Sequence, residues 1–315
     1  MLFTTGLSWV TMENTEGDGP MNEKDLLAER FEENRTRLRA VAYRMLGSLS
    51  EADDAVQESW LRLSRSDAED IDNLGGWLTT VVARVCLNML RSRKSRREEP
   101  LDVHLPDPII SRADAMHPEH AVLLADSIGL ALFVVLETLA PDERIAFVLH
   151  DMFAVPFDDI APIVGRTPTA ARQLASRARR RVKGSGSLPD ADLAGQRAVV
   201  DAFLAAWRAG DFDALVAVLD PDVMRRADRG AVAPVRSGVL RGAHAVAEGA
   251  IEFSILAEYA RPAIVNGAAG IVGLDPSGRL ISVIGFTVAR GKIVEMDILL
   301  DPERLGRLDV SGVVD

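Results

Sequence analysis

Cysteine is almost absent from this chain: among 315 residues, Cys86 is the only one. An intrachain disulfide framework and a cysteine-built zinc site are therefore excluded, and nothing calls for an oxidising compartment. Long apolar runs are missing too. No segment approaches the roughly 20 uninterrupted apolar residues of a membrane-crossing helix. The opening Met1–Val10 is mildly apolar but has neither a basic leader nor a small-residue cleavage site, so it does not read as a signal peptide. The expectation is a soluble cytoplasmic protein without a membrane partner. Residues 1–24 read as a disordered N-terminal tail, within which Met12 and Met21 are alternative starts.

What is present is ordinary globular material, 48% hydrophobic, enough for two or three domains. The net charge of −11 is spread unevenly. Arg84, Arg91, Arg93, Lys94, Arg96 and Arg97 form one basic run with no acid between them. Arg166, Arg172, Arg177, Arg179, Arg180, Arg181 and Lys183 form another. Each run ends an amphipathic helix, a pattern that suits phosphate contact better than a uniformly solvated surface does.

Apolar residues recur at helical spacing from Leu26 to Leu90, giving a first helical unit over residues 25–98. Gly47 reads as a helix stop, with Ser50 as the next N-cap and Asp53 completing a capping-box-like pair. Asn73–Gly76 marks a further break. Pro100, Pro106, Pro108 and Pro118 give residues 99–120 the composition of a linker. A second helical unit covers 121–183, and a glycine- and serine-rich linker covers 184–192. Leu193–Arg208 is one more amphipathic helix. Beyond it come short alternating stretches, among them Leu280–Val288 and Lys292–Leu299, joined by a hairpin turn at Arg290–Gly291. The expected fold is multidomain: two all-α units, then an α+β domain over 193–305 and a tail over 306–315.

In the helix Ala52–Leu63, the residues Ala52, Ala55, Val56, Trp60 and Leu63 share one face. Asp53, Asp54, Gln57 and Glu58 form a polar ledge on the other, suited to a basic helical partner. In the next helix, Trp77, Leu78, Val81, Val82, Val85, Cys86, Met89 and Leu90 are the core side, with Cys86 a small core residue rather than a nucleophile. Its polar side carries Arg84, Asn88, Arg91 and Ser95, guanidinium groups for phosphates and an amide for base edges. Further on, VPFDDIAPIVGRTPTAARQLASRARRRV at Val155–Val182 has the layout of a helix-turn-helix. Gly165 fits the turn, Thr167 the N-cap and Pro168 the first helical position. Thr169, Arg172, Gln173 and Ser176 then sit where a recognition helix reaches bases, while Arg177, Arg179 and Arg180 are placed for phosphates. Pro162 interrupts the hydrogen bonding of the first helix of this motif.

SEADDAVQESWLRL at Ser50–Leu63 and GWLTTVVARVCLNMLRSRKSRR at Gly76–Arg97 resemble region 2 of the sigma-70 family, in its extracytoplasmic-function branch. Val155–Val182 resembles region 4. WRAGDFDALVAVLDPDV at Trp207–Val223, with the strands after it, resembles the SnoaL-like members of the NTF2-like superfamily, cone-shaped α+β folds. The resemblance implies that Asp53, Asp54, Gln57 and Glu58 face the β′ clamp helices of core RNA polymerase. It implies that Arg84, Asn88, Arg91 and Arg93 face the promoter −10 element. Region 4 would meet the β flap and read the −35 element through Thr167, Thr169, Arg172, Gln173, Ser176, Arg177, Arg179 and Arg180. Sigma factors fused to this domain carry a linker motif and a C-terminal motif, echoed here as HLPDP (His104, Leu105, Pro106, Asp107, Pro108) and DPERL (Asp301, Pro302, Glu303, Arg304, Leu305). A third motif is echoed weakly as DRGAV at Asp228–Val232. The resemblance implies that the C-terminal domain touches the linker and regulates the sigma core in place of a separate anti-sigma protein.

No cofactor and no metal are expected. A small-molecule ligand of the C-terminal domain is left open. Asp228, His244, Asp275 and Asp297 are available for proton transfer, yet nothing pairs a base with an oxyanion donor, so catalysis is not expected. Two alternatives stand beside the sigma reading: a ligand-responsive helix-turn-helix regulator that does not bind core polymerase, and a SnoaL-type isomerase or cyclase fused to a DNA-binding region.

Overall fold

The computed structural model describes residues 23–66, 71–95, 103–111, 129–184, 190, 192–230, 238–308 and 310. Among the described residues, no helix is long and apolar enough to cross a membrane. Most of the expected N-terminal tail, of the linker between the second helical unit and the C-terminal domain, and of the C-terminal tail lies outside the described residues, as do 112–128.

The first unit is three helices, α1 (Glu23–Leu46), α2 (Leu49–Leu63) and α3 (Leu74–Ser95). Gly47 ends α1 in the left-handed region at φ 74°, where a side chain would be strained. The new start comes two residues earlier than the sequence suggests. Ser48, not Ser50, is the N-cap residue of α2, and its side chain makes no capping bond. The break before α3 ends at Asn73, whose Oδ1 accepts from the Gly76 amide at 2.9 Å. Gly75 and Gly76 therefore lie inside the helix rather than before it. Ala52, Ala55, Val56 and Leu63 of α2 and Leu78, Val82, Val85, Cys86 and Leu90 of α3 are buried as expected, while Trp60, Trp77 and Met89 are half-buried. Burial pushes the Cys86 thiol up to about 12, so it is an uncharged core group.

The second unit comprises α4 (Gly129–Glu137), α5 (Pro141–Phe147), a π-helical turn at Val148–Met152, α6 (Phe157–Val164) and α7 (Pro168–Gly184). Gly165, at φ 68°, turns the chain between α6 and α7, and Thr167 Oγ1 accepts from the Ala170 amide at 3.3 Å. The helix-turn-helix is thus built at the expected residues. Pro162 does not break α6, which runs on to Val164 because Ile160, Ala161, Ile163 and Val164 are all buried.

The two helical units are not separate bodies on a flexible tether. Leu78, Val82 and Leu90 of α3 belong to the same hydrophobic cluster as Ile145, Ile160 and Leu174 of the second unit. The linker composition of 99–120 also misleads, since Leu105, Ile109 and Ile110 are buried.

The C-terminal unit opens with α8 (Leu193–Ala209), capped by Asp192, and α9 (Phe212–Val218), capped by Asp211. Six strands follow, β2 (Leu219–Asp228), β3 (Gly238–Arg241), β4 (Ala260–Val265), β5 (Ala268–Leu274), β6 (Leu280–Ala289) and β7 (Lys292–Leu299), with α10 (Ala243–Ile251) after β3 and α11 (Pro302–Leu305) last. The seventh strand is β1, Ile110–Ser111 of the linker. It pairs antiparallel with β4 and gives the sheet the order β1-β4-β5-β6-β7-β2-β3. The β6–β7 turn at Arg290–Gly291 is where the sequence puts it, with both residues at positive φ.

One sheet face buries Phe203 and Trp207 of α8 against Ile271, Phe286 and Met296. The other carries Val265, Val272, Val283 and Leu299 beside Ile110 of β1, and Leu305 packs on it. It also receives α4: a methyl added at Gly285 would meet Leu130 at 3.4 Å. Both faces of this α+β cone are therefore covered, the second by the linker and the helical units.

Candidate functional site

On α2 the ledge faces outward. Asp53, Asp54 and Gln57 are exposed and Glu58 is half-exposed. Asp53 is held by Arg39, at 2.6 and 3.2 Å, and Glu58 by Arg62 at 2.9 Å. The side chains of Asp54 and Gln57 make no bond among the described residues.

On α3, Arg84, Asn88 and Arg91 are exposed along one face. Arg91 reaches across to Asp142 of α5 at 2.8 Å, so part of this surface is engaged by the second helical unit. Arg93 departs from the expected row. It is half-buried, forms an ion pair with Glu51 and lies 3.4 Å from the Leu46 carbonyl, which its guanidinium faces instead. Arg96 and Arg97 lie outside the described residues.

On α7, Ala171, Leu174, Ala175 and Ala178 are buried, which lets the helix sit close on α6. Thr167, Thr169, Arg172, Gln173 and Ser176 are exposed, and the Arg172 guanidinium lies over the Phe157 ring at 5.2 Å. That contact fixes its direction without consuming its donors. The arginines placed for phosphates divide. Arg180 is exposed, whereas Arg177 leans on Glu143 at 3.3 Å and Arg179 on Asp151.

The linker and C-terminal motifs meet. Arg304 of α11 donates to Asp107 Oδ1 (2.6 and 2.8 Å), to the Leu105 carbonyl at 2.5 Å and to Asp228 Oδ2 at 2.7 Å. Asp228 also accepts from the Leu105 amide at 2.8 Å, and His104 Nδ1 stands 3.6 Å from it. Asp107 turns its other oxygen to the Leu49 amide, 3.0 Å away. The first amide of α2, left without a cap by Ser48, is thus satisfied by a carboxylate from the linker, where the helix dipole favours negative charge. Asp228 and Gly230 of the weakly echoed third motif belong here as well, while Ala231 and Val232 lie outside the described residues. Gly230, at φ 67°, has Asp301 Oδ2 only 2.4 Å from where a Cβ would stand, so its place beside α11 admits no side chain without a shift.

Sequence reasoning missed three participants. Tyr43 donates to the Asp107 carbonyl at 2.5 Å and accepts from Asn266 Nδ2 at 2.9 Å, and Asn266 Oδ1 accepts from the Ile109 amide at 2.9 Å. Burial pushes the Tyr43 hydroxyl far above its usual range, so it stays protonated. Asn266–Gly267, both at positive φ between β4 and β5, is the strongest short hairpin signal in a sequence and was there to be read. The third is Arg226, paired with Glu295 and Asp297 at 2.7 and 2.6 Å. Tyr43→Phe leaves the Asn266 donor and the Asp107 carbonyl with one partner fewer. It is expected to cost about 1–3 kcal/mol, read as a lowered urea midpoint with unchanged slope.

The candidate acids of the C-terminal unit are committed elsewhere. Asp228 and Asp297 are buried in ion pairs, Asp275 binds Ser277 and Arg279 within its own turn, and His244 is exposed beside Phe212. No group of three metal-ligating side chains occurs among the described residues.

Two families match this chain, sigma-70 region 2 over residues 30–96 and sigma-70 region 4 over residues 130–182. The sigma factor SigJ of Mycobacterium tuberculosis is 38% identical over 288 residues, covering 87% of this chain and 91% of that protein. A probable sigma factor of the same species, SigI, is 35% identical over 91% of this chain and 98% of its own length. The crystal structure of SigJ superimposes with a TM-score of 0.74 at 34% identity, covering 90% of this chain and 99% of that one. With both sigma regions in place and likeness to SigJ running on through the C-terminal unit, the chain belongs to the extracytoplasmic-function RNA polymerase sigma factors, with an α+β domain fused at its C-terminal end.

Proposed function

We propose that this sigma factor binds core RNA polymerase through the α2 ledge, reads the −10 element with α3 and the −35 element with α7, and is regulated by its own C-terminal domain. In this reading region 2 spans 25–98, region 4 spans 121–183 and a SnoaL-like domain spans 193–305. The observation that carries promoter reading is the outward row Thr169, Arg172, Gln173 and Ser176 on a helix whose opposite face is closed by small apolar residues. A row of that kind enters a major groove with its N-terminal half. Regulation rests on the junction of Arg304, Asp107 and Asp228, which ties the last helix of the cone to the linker and to the start of α2. A ligand-responsive regulator working without polymerase would need neither Asp54 nor Gln57 exposed on α2.

Run-off transcription with sigma-free core polymerase on a randomised promoter library tests this directly. Failure of the full chain and of a chain truncated before Asp301 to select any start site rejects it. Arg172→Ala is expected to relax choice at one −35 position by about 1–3 kcal/mol. Arg180→Ala, at an exposed arginine, weakens all sequences alike and lowers the salt dependence of binding. Equal losses on matched and mismatched promoters for Arg172→Ala would remove it from the reading face.

A further inference from the structure

Where the three units meet, a cleft of about 1530 Å³ is lined by α1–α3, the linker, α4–α5 and the cone. Its charge is the reverse of the chain's. Against the net −11 of the whole sequence, the described lining holds eight lysines and arginines and four carboxylates.

Three of those carboxylates are already spent within the lining, Glu51 on Arg93, Asp53 on Arg39 and Asp107 on Arg304. The fourth, Glu137, is pushed up by burial and drawn back by Arg144 across the cleft. Arg181, Arg226 and Arg307 lean on acids outside the lining. Lys94 and Arg144 remain, with no carboxylate within ion-pair distance among the described residues. Arg144 is the telling one. It is 4% exposed, its Nε has no hydrogen-bond partner, its Nη2 donates to the Arg44 carbonyl over 3.5 Å, and Glu137 acts on it through space with no ion pair between them. Burial lowers it to about 10, which leaves it charged at neutral pH. A buried guanidinium with donors to spare is costly unless an anion answers it.

We propose that this cleft binds a small polyanion of linked phosphate groups, a nucleoside polyphosphate or an inorganic polyphosphate, bridging cations of all three units. The cations stand on separate walls, Lys94 on α3, Arg144 on α5 and, just past α11, Arg307, whose one acid among the described residues is the exposed Glu303. The space exceeds the roughly 300–1,000 Å³ of ordinary small-ligand pockets. A single phosphate would satisfy one wall, whereas a chain of them reaches several. Arginine forks suit phosphate oxygens in pairs, and Lys94 adds a mobile point charge at the exposed rim. A ligand so held favours the closed arrangement in which α3 meets α5, and it does so independently of promoter or polymerase binding.

Titration calorimetry of the full-length chain at low salt, in chelator and without metal, tests this with two probes, inorganic tripolyphosphate and adenosine triphosphate. Sodium sulfate at matched ionic strength is the control. The expected result is saturable binding at one site, absent with sulfate, and a raised melting temperature at saturation. Equal affinity for the two probes assigns the site to the phosphate chain alone; tighter binding of the nucleotide adds a seat for the base. Lys94→Glu, an exposed change that keeps the fold, weakens binding about tenfold or more. Arg144→Met does the same where it folds. Arg172→Ala with Arg180→Ala, in the other basic patch, leaves polyphosphate affinity intact. No saturable binding of either probe, an unchanged affinity in Lys94→Glu, or loss of binding in the α7 variant overturns the proposal.

Discussion

Asp228→Ala is expected to destabilise the protein by about 3–5 kcal/mol, because it leaves one member of a buried ion pair without the other. Asp228 has a side chain only 3% exposed and accepts from Arg304, from the Leu105 amide and from the Gly230 amide. Alanine leaves all three donors short of an acceptor, the Leu105 amide in a buried place and the other two in part-buried ones. Arg304 would keep Asp107, and that residue in turn holds the first turn of α2. The damage is therefore expected at the seam between linker and cone, with region 2 itself intact. Urea unfolding gives the size of the effect, and hydrogen exchange gives its place: the Leu105 amide loses protection in the variant while Leu78 and Val82 amides in α3 keep theirs. Asp228→Asn, which retains one acceptor oxygen, should cost clearly less. A loss below 1 kcal/mol for Asp228→Ala, about the size of a surface ion pair, would mean that the seam is not holding the domains together.

What the sequence made legible, and what it did not, divides along chain distance. The helices α2, α3 and α7 each carry their own apolar stripe, and Gly165, Thr167 and Pro168 carry the turn and cap of the helix-turn-helix. These are local signals, and α7 begins at Pro168 as they indicate. The β6–β7 hairpin was legible for the same reason. The seam was not. Arg304 and Asp107 stand 197 residues apart and Tyr43 and Asn266 stand 223 apart, so no periodicity connects them. Only the likeness of HLPDP and DPERL to paired family motifs pointed there, and it gave proximity without the bonds. The prolines of 99–120 suggested a flexible connection, yet Pro106 and Pro108 flank Asp107 as it bonds to Gly47 and Leu49. Proline removes backbone donors, which suits an extended segment lying between two bodies as well as it suits a free linker.

The face of a side chain was legible where its partner was not. Arg84, Asn88 and Arg91 do line the exposed side of α3, but no local pattern reveals Asp142 opposite Arg91 or Glu51 beside Arg93. On α7 the acids Glu143 and Asp151 take up Arg177 and Arg179. The α7 cations that lean on no acid among the described residues are therefore Arg172, Arg180 and Lys183. The surfaces proposed for the −10 and −35 elements thus differ in how free they are: α3 is partly engaged through Arg91, and the reading row of α7 is open.

The second large effect lies on the cone. Arg226 stands between Glu295 and Asp297, whose side chains are 14% and 2% exposed. Arg226→Ala strands two carboxylates and is expected to cost about 3–5 kcal/mol near neutral pH. The dependence on pH has a definite sign. In the intact protein burial raises Asp297 above its ordinary 3.8 even though Arg226 pulls it back. The folded state therefore binds that proton more tightly than the unfolded chain does. This contribution favours folding below 3.8 and fades as pH rises through the higher folded value. Removing Arg226 takes away the opposing influence, so Asp297 rises further and its protonation relieves the stranded charge. The penalty of Arg226→Ala should therefore shrink on acidification from pH 7 toward pH 4, as Asp297 takes up its proton. Urea midpoints of the two proteins across that range measure it, and a penalty that is constant or grows toward acid would contradict the buried pair. Arg226→Met, Glu295→Met and Asp297→Leu together, which remove all three charges as a unit, should recover most of the loss, since an apolar filling of similar volume replaces an ion-pair cluster with little cost.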